Sequence, residues 1–250
     1  MLDYPAFTSI DLSSLRTGIA AGAPCPPAMM KRMIDDMHLR DIVIGYGMTE
    51  TSPLSTLTSV DADIETRTET VGAMISHFEG RVIGEDGEIL PAGSPGEYCS
   101  RGPGVMLGYW GQPDATATAI RDGWMHSGDL ATMDASGRVR IVGRIKDMII
   151  RGGENIYPAE VEAFLATHPN VAEVAVFGIP DDLYGESVCA WIRTRAPATP
   201  AEIVAWCKGK IAHHKIPARI RMVDSFPMTV TGKVQKFVMR EAERNQADGD

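Results

Sequence analysis

Ile141-Val-Gly-Arg-Ile-Lys-Asp-Met-Ile-Ile-Arg-Gly-Gly-Glu-Asn-Ile-Tyr-Pro-Ala-Glu-Val-Glu162 changes character repeatedly along its length. It begins as a strand, with Val139 and Ile141 apolar and Arg138 and Arg140 polar, the alternation of a half-buried β element. Arg144, Lys146 and Asp147 then crowd into a short joint of the kind that brings a chain to the surface. A second apolar run, Met148-Ile149-Ile150, stops at Gly152-Gly153, where the backbone can take φ > 0. Pro158 opens an amphipathic helix at its favoured first position. Strand, charged joint, strand, glycine loop and helix in that order predict the seam between two domains.

Working outward, 250 residues are enough for one or two domains with a real core. A hydrophobic content of 44% with 23% charged residues is that of a soluble globular protein. The net charge of −9 and the lack of a basic block argue against a nucleic-acid partner. Cys25, Cys99, Cys189 and Cys207 are scattered without a C-x-x-C pair, so reduced thiols are expected rather than a disulfide frame or a zinc site. No apolar run approaches the ~18 residues of a membrane span. Met1-Leu-Asp-Tyr-Pro5 lacks the basic and apolar segments of a signal peptide, so the expected location is cytoplasmic.

Upstream of the seam, Leu15 to Ala20 reads as a short buried strand. A helix opened by Pro26-Pro27 would put Met29, Met30, Met33, Ile34 and Met37 on one core-facing stripe. A second buried strand, Asp41 to Gly45, runs into Tyr46-Gly-Met-Thr-Glu-Thr51. An aromatic, a hydroxyl and a carboxylate at a strand end can offer a stacking face, a phosphate hydrogen bond and a hard-metal ligand. The same residues can equally be a polar turn with Tyr46 half-buried. From Val71 to Val142 the period becomes two and turns are dense, as at Gly84-Glu-Asp-Gly87 and Asp134-Ala-Ser-Gly137. A small bent sheet or barrel is expected there, interrupted by one helix near Gln112 to Ile120, with Tyr109-Trp110 as core. Asp129, directly after Gly128, reads as a turn cap, and His126, without a spaced partner, as structural.

Downstream, Val161, Phe164 and Leu165 form one helix face, and strands are expected at Val171–Ile179 and Ser187–Ile192 with the loop Pro180 to Glu186 between them. Thr199 and Glu202 have capping-box spacing, ahead of a helix face of Ile203, Trp206, Cys207, Lys210 and Ile211. Thr231-Gly232-Lys233 falls in an exposed turn before a helix starting near Val234. It does not fit a phosphate loop, and an isolated lysine there reads as a solvated charge.

These stretches also carry a resemblance. Gly143-Arg-Ile-Lys-Asp147 with Gly152-Gly-Glu-Asn-Ile-Tyr-Pro-Ala-Glu160 resembles the hinge motif of the acyl-adenylate-forming, AMP-binding superfamily of acyl-CoA synthetases, adenylation domains and luciferases. Gly45-Tyr-Gly-Met-Thr-Glu-Thr51, Gly96 to Trp110, Trp124-Met-His-Ser-Gly-Asp129 and Pro227-Met-Thr-Val-Thr-Gly-Lys233 are similar to family segments in the same order. Within the superfamily the sequence looks most like bacterial medium- or long-chain fatty acyl-CoA synthetases.

The resemblance implies a fold and a chemistry. The fold would be mixed α+β. Residues 1–144 would be the C-terminal remnant of the large AMP-binding domain, part α/β layer and part bent sheet. Residues 145–250 would be a compact, mobile α+β lid with its hinge at Lys146. Tyr46 would stack on adenine beside Gly47, Gly22-Ala23-Pro24 would cover the other adenine face, and Asp129 with Arg144 would hold the ribose. Thr49 would meet the α-phosphate, Glu50 would help hold Mg²⁺, and Lys233 would be the catalytic lysine. Gly152 and Gly153 would approach the CoA pantetheine arm. ATP, Mg²⁺ and CoA are the implied cofactors, and a fatty acid or related carboxylate the substrate.

One departure stands against these matches: the family's Ser/Thr/Gly-rich phosphate loop is not found in this sequence. The expected chain is therefore the C-terminal part of a ligase, weak or inactive by itself, with association through apolar surface left bare around residues 1 to 60. The alternatives are a non-catalytic lid or interaction module and a ligase for aryl or other carboxylates.

Overall fold

A computed structural model describes residues 2, 4, 6–22, 25, 27–229 and 232–247. The chain separates into two compact units, Met1–Ile141 and Val142–Asp250. Among the described residues no helix is long and apolar enough to cross a membrane.

The first unit opens with β1 (Thr17–Ala20), α1 (Pro27–Asp36) and β2 (Asp41–Tyr46). Next come β3 (Thr56–Leu57), α2 (Ile64–Glu69) and β4 (Ala73–Met74). β1 and β2 are parallel, and β3 and β4 add antiparallel, giving the order β1-β2-β3-β4. β1 is shorter than expected and is an edge strand rather than a buried one, with Ile19 61% exposed. On α1 the core stripe runs through the fully buried Met30 to Met33 and Ile34, packed on Ile42 and Ile44. Met29 is offset from that stripe and faces solvent, while Met37, one residue past the helix end, is buried in the same cluster.

The second sheet of this unit uses β5 (Glu79–Ile83), β6 (Gly96–Arg101), β7 (Ile120–Arg121) after α3 (Pro113–Ala119), β8 (Trp124–Met133) and β9 (Val139–Arg144). Its order is β5-β6-β8-β7, with β9 also on β8: an open, branched sheet rather than a closed barrel. Tyr98, Ala131 and Val139 form its buried centre, with Tyr46, Met74 and Ile141 against them. Trp110 is 99% exposed, and Tyr109 is not core either. The expectation fails there because the segment is a strap crossing the surface ahead of α3, where an aromatic doublet has no second layer to enter.

In the second unit, β10 (Ile149–Arg151) and β11 (Glu154–Ile156) form a hairpin around Gly152 and Gly153, whose φ values are +59° and +87°. Two successive positive φ angles are what a two-residue hairpin turn of strand-matching twist demands. α4 (Pro158–Leu165) follows with proline at its start, then the long antiparallel pair β12 (Val171–Asp181) and β13 (Gly185–Thr194). The expected loop 180–186 is mostly strand: Pro180 pairs with Glu186 and Asp181 with Gly185, leaving only Asp182 to Tyr184 to turn. α5 (Pro200–Cys207) starts with the anticipated Thr199–Glu202 capping box. Lys210 and Ile211 lie beyond its end, and the Lys210 ammonium stacks over Trp206 instead. β14 (Arg219–Met222) joins β13 in parallel, and α6 (Lys236–Ala247) closes the unit, two residues later than expected.

β12 and β13 are covered on both faces, which explains why their residues are buried almost without alternation. Val176, Val188 and Ile192 pack with Val161 and Leu165 of α4 and Ile203 of α5. Phe177, Cys189 and Trp191 pack with Met239 of α6 on the other side. All four cysteines are free thiols.

Candidate active site

β2 carries its side chains inward until Tyr46, where the backbone leaves the sheet and turns through a short 3-10 segment, Thr49–Thr51. Thr51 locks that turn: its Oγ1 accepts from the Met48 N–H (3.1 Å) and donates to the Met48 carbonyl (3.0 Å). Gly47 has a steric reason for its identity. A Cβ there would stand 2.1 Å from the Pro53 carbonyl oxygen and 2.7 Å from Leu54 Cα, both backbone atoms. The turn leaves Thr49 exposed and Glu50 half-buried.

Tyr46 and Asp129 meet across 83 residues of sequence. The phenol Oη donates to Asp129 Oδ2 at 2.6 Å, and Tyr46 also lies edge-on to Tyr98, with centroids 5.6 Å apart. Burial first, and then the neighbouring carboxylate, push the Tyr46 phenol upward from its ordinary value, so it stays a donor at any physiological pH. Asp129 is only 6% exposed, inside β8 rather than at a strand start, so the turn-cap reading gives way to a buried carboxylate aimed at Tyr46.

Glu50 finds its partner far along the chain. Tyr109, 59 residues away, donates its Oη to Glu50 Oε1 at 2.9 Å, and the Met106 N–H donates to the Glu50 carbonyl at 2.8 Å. The bond from its Oη to the Glu50 carboxylate is the main cause raising the Tyr109 phenol above its usual value. Oε2 of Glu50 makes no hydrogen bond among the described residues. A carboxylate with one oxygen fixed and one open fits a hard cation such as Mg²⁺, which takes one or two carboxylates plus phosphate oxygens.

Glu97, Cys99 and His126 bring an oxygen, a sulfur and a nitrogen donor within 4.8 Å of one another. The donor types would suit zinc. The Arg121 Nη2, however, lies 2.6 Å from the same His126 nitrogen that faces Glu97. Burial, ahead of the nearby Glu97 charge, also pushes the Cys99 thiol up to about 12. The cluster is wired as a hydrogen-bonded set with its own cation already in place.

Arg144, Lys146, Gly152, Gly153 and Lys233 belong to the second unit. Arg144 ends β9 and Lys146 sits in the 3-10 turn Ile145–Asp147, both exposed. The Gly152 N–H donates to the Tyr184 carbonyl at 2.8 Å, and Arg151 stacks over the Tyr184 ring. Lys233 is exposed in a tight turn: Thr229 N–H donates to the Lys233 carbonyl (2.8 Å), and Lys233 N–H to Thr229 Oγ1 (3.0 Å). Its ammonium has no partner among the described residues. Gly22 is described, with φ +82°; Ala23, Pro24 and Thr231 lie outside the described residues.

Known proteins share this arrangement of sequence and fold. The family model for the AMP-binding enzyme matches residues 1–110, and that for the AMP-binding enzyme C-terminal domain matches residues 160–233. The mitochondrial medium-chain acyl-CoA ligase of Bos taurus is 47% identical over 245 residues, 96% of this chain and 40% of its own length. ATP-bound MatB from Rhodopseudomonas palustris superimposes with a TM-score of 0.88 at 34% identity, covering 96% of this chain and 48% of that one. The o-succinylbenzoate CoA synthetase of Bacillus subtilis, solved with its acyl-adenylate intermediate, gives 0.82 at 31% identity, covering 90% and 46%. The chain spans about two fifths of the length of the curated relatives it matches. Matched by both models over most of its residues, it belongs to the AMP-binding enzyme family.

Proposed function

We propose that this chain supplies the nucleotide platform, hinge and lysine of an acid–thiol ligase that joins a carboxylic acid to CoA through an acyl-adenylate. The observation that carries the reading is the Tyr46–Asp129 contact with Thr49 and Glu50 on the very next turn. It brings an aromatic face at the end of β2 together with a carboxylate from β8, with a hydroxyl and a second carboxylate on the turn that follows. The names of the relatives support the reaction class, and the medium-chain ligase among them supports a fatty acid as substrate.

In this reading Tyr46 stacks on adenine with Gly47 and Gly22-Ala23-Pro24 around it, and Asp129 and Arg144 hold the ribose hydroxyls. Thr49 donates to the α-phosphate, and Glu50 orients Mg²⁺, which when bound neutralises phosphate charge. The substrate carboxylate attacks the α-phosphorus, an O–P bond forms and pyrophosphate leaves. Lys233 places one compact positive charge between the two anions as they approach. The second unit then turns about Lys146, bringing Gly152-Gly153 beside the pantetheine arm, where a side chain would obstruct it. The CoA thiol attacks the acyl carbon, a C–S bond forms and AMP leaves.

The test is AMP release by the purified chain with ATP, Mg²⁺, CoA and a panel of fatty and aryl acids. The expected result is weak, acid-dependent release that falls by about 10²–10³ in Lys233→Ala. The acid preferred in the panel identifies the substrate class. Release no greater than in the lysine variant would overturn the ligase reading for this chain. It would favour a nucleotide-binding or interaction module, a reading consistent with the chain's share of its relatives' length.

A further inference from the structure

β8 does not run straight past β6. Between the pairs Glu97–Leu130 and Cys99–His126, β6 advances two residues while β8 advances four, so Ser127, Gly128 and Asp129 form a bulge. Gly128 takes φ +67° at its centre. A bulge of this kind lifts peptide groups out of the ladder and re-aims a side chain, here that of Asp129. Its freed N–H groups need acceptors. The Asp129 N–H finds Ser127 Oγ at 3.0 Å, and that hydroxyl donates to the Tyr98 carbonyl at 2.6 Å. The Gly128 N–H finds the carboxylate of Glu97, at 3.0 Å to Oε1.

Glu97 is itself held. Its Oε2 lies 2.8 Å from His126 Nδ1 and 3.5 Å from Arg121 Nη2, and its side chain is largely buried. Oε2 thus faces His126 and Arg121, which leaves Oε1 for Gly128. A charged acceptor on a main-chain N–H is among the stronger hydrogen bonds available to a bulge.

We propose that Glu97 is a positioning residue for nucleotide binding: by gripping the Gly128 peptide it holds the bulge that presents Asp129 to the ribose hydroxyls. Tyr46 sets the second coordinate through Asp129 Oδ2. The proposal rests on the reading that Asp129 takes the ribose, and the experiment keeps the two apart.

Binding of AMP and of 2′,3′-dideoxy-AMP to the chain is measured by calorimetry in wild type, Asp129→Ala, Glu97→Ala, Glu97→Asp and Glu97→Gln. Wild type is expected to favour AMP by about tenfold or more, the worth of hydrogen bonds to a charged group. Asp129→Ala abolishes that preference. Glu97→Ala and Glu97→Asp, the latter keeping the charge but withdrawing it by one methylene, lose most of the preference while binding the dideoxy analogue as wild type does. Glu97→Gln, whose amide oxygen still reaches Gly128, keeps it. Hydrogen exchange at the Gly128 amide is read alongside: slow in wild type and Glu97→Gln, fast in Glu97→Asp.

Loss of preference in Asp129→Ala but not in Glu97→Asp overturns the role of Glu97 and leaves the ribose reading intact. An undiminished preference in Asp129→Ala overturns the ribose reading and the proposal with it. If Glu97→Ala does not fold, fast exchange at Gly128 in the wild type still overturns the proposal by itself.

Discussion

Tyr109 is tied to Glu50 by one phenolic hydrogen, and that atom can be removed alone. The Tyr109 ring is partly exposed, so Tyr109→Phe keeps the packing and deletes only the bond to Glu50 Oε1. If Glu50 orients Mg²⁺, loss of the partner that fixes its rotamer weakens metal-dependent nucleotide binding by about tenfold, the usual scale for groups behind a metal ligand. The measurement is a Mg²⁺ titration of ATP binding, with thermal melting as the control for folding. An unshifted Mg²⁺ dependence would remove Tyr109 from the site. At this scale the sequence was half legible. Tyr46, Thr49 and Glu50 sit in one short stretch whose residue types speak together. Their partners do not: Asp129, named only through the family resemblance, and Tyr109, in the irregular segment before α3, stand 83 and 59 residues away, a separation that no local spacing reveals.

Elements were readable where a periodic pattern was long enough to average over. β2, α4, α5 and the β12–β13 pair all follow from apolar runs, a starting proline or a capping box. β7, β11 and β14 are too short for any period to declare itself; β7 and β14 pair with the longer β8 and β13, and β11 with β10 across the Gly152-Gly153 turn. The turn after β2 is a case that no period reports, since Gly47 is a close contact in the fold. Gly47→Ala would drive a methyl into the Pro53 carbonyl and Leu54 Cα, neither of which can rotate away. The turn must open, and the expected loss is about 3 kcal/mol, at the upper end for forced overpacking. Urea unfolding of the chain followed by Tyr and Trp fluorescence measures it. A midpoint equal to wild type would mean that the turn shifts freely, and Gly47 would then have to be explained by ligand approach instead.

The whole molecule is two units, each with its own apolar centre: the α1–β2 and β6–β8–β9 clusters in the first, both faces of β12–β13 in the second. The division between the units falls within β9, just ahead of the charged joint. Between β9 and β10 the chain has only the 3-10 turn Ile145–Asp147 and Met148, and Arg144, Ile145 and Lys146 are exposed. Asp147 is drawn toward α6 by Arg240, at 3.5 Å, so the turn is anchored on its downstream side. A pivot is expected just before that anchor, at Lys146, and local opening is what a protease reads. Limited trypsin digestion should therefore cut first after Arg144 or Lys146, giving two fragments that resist further digestion longer than the intact chain resists the first cut. Replacing both residues with alanine should slow that first cut markedly without altering the melting curve. If digestion instead begins after Arg101 at the end of β6, or proceeds without paired fragments, the seam is rigid in solution. Motion about Lys146 would then have to be abandoned as the step that separates adenylation from thioester formation.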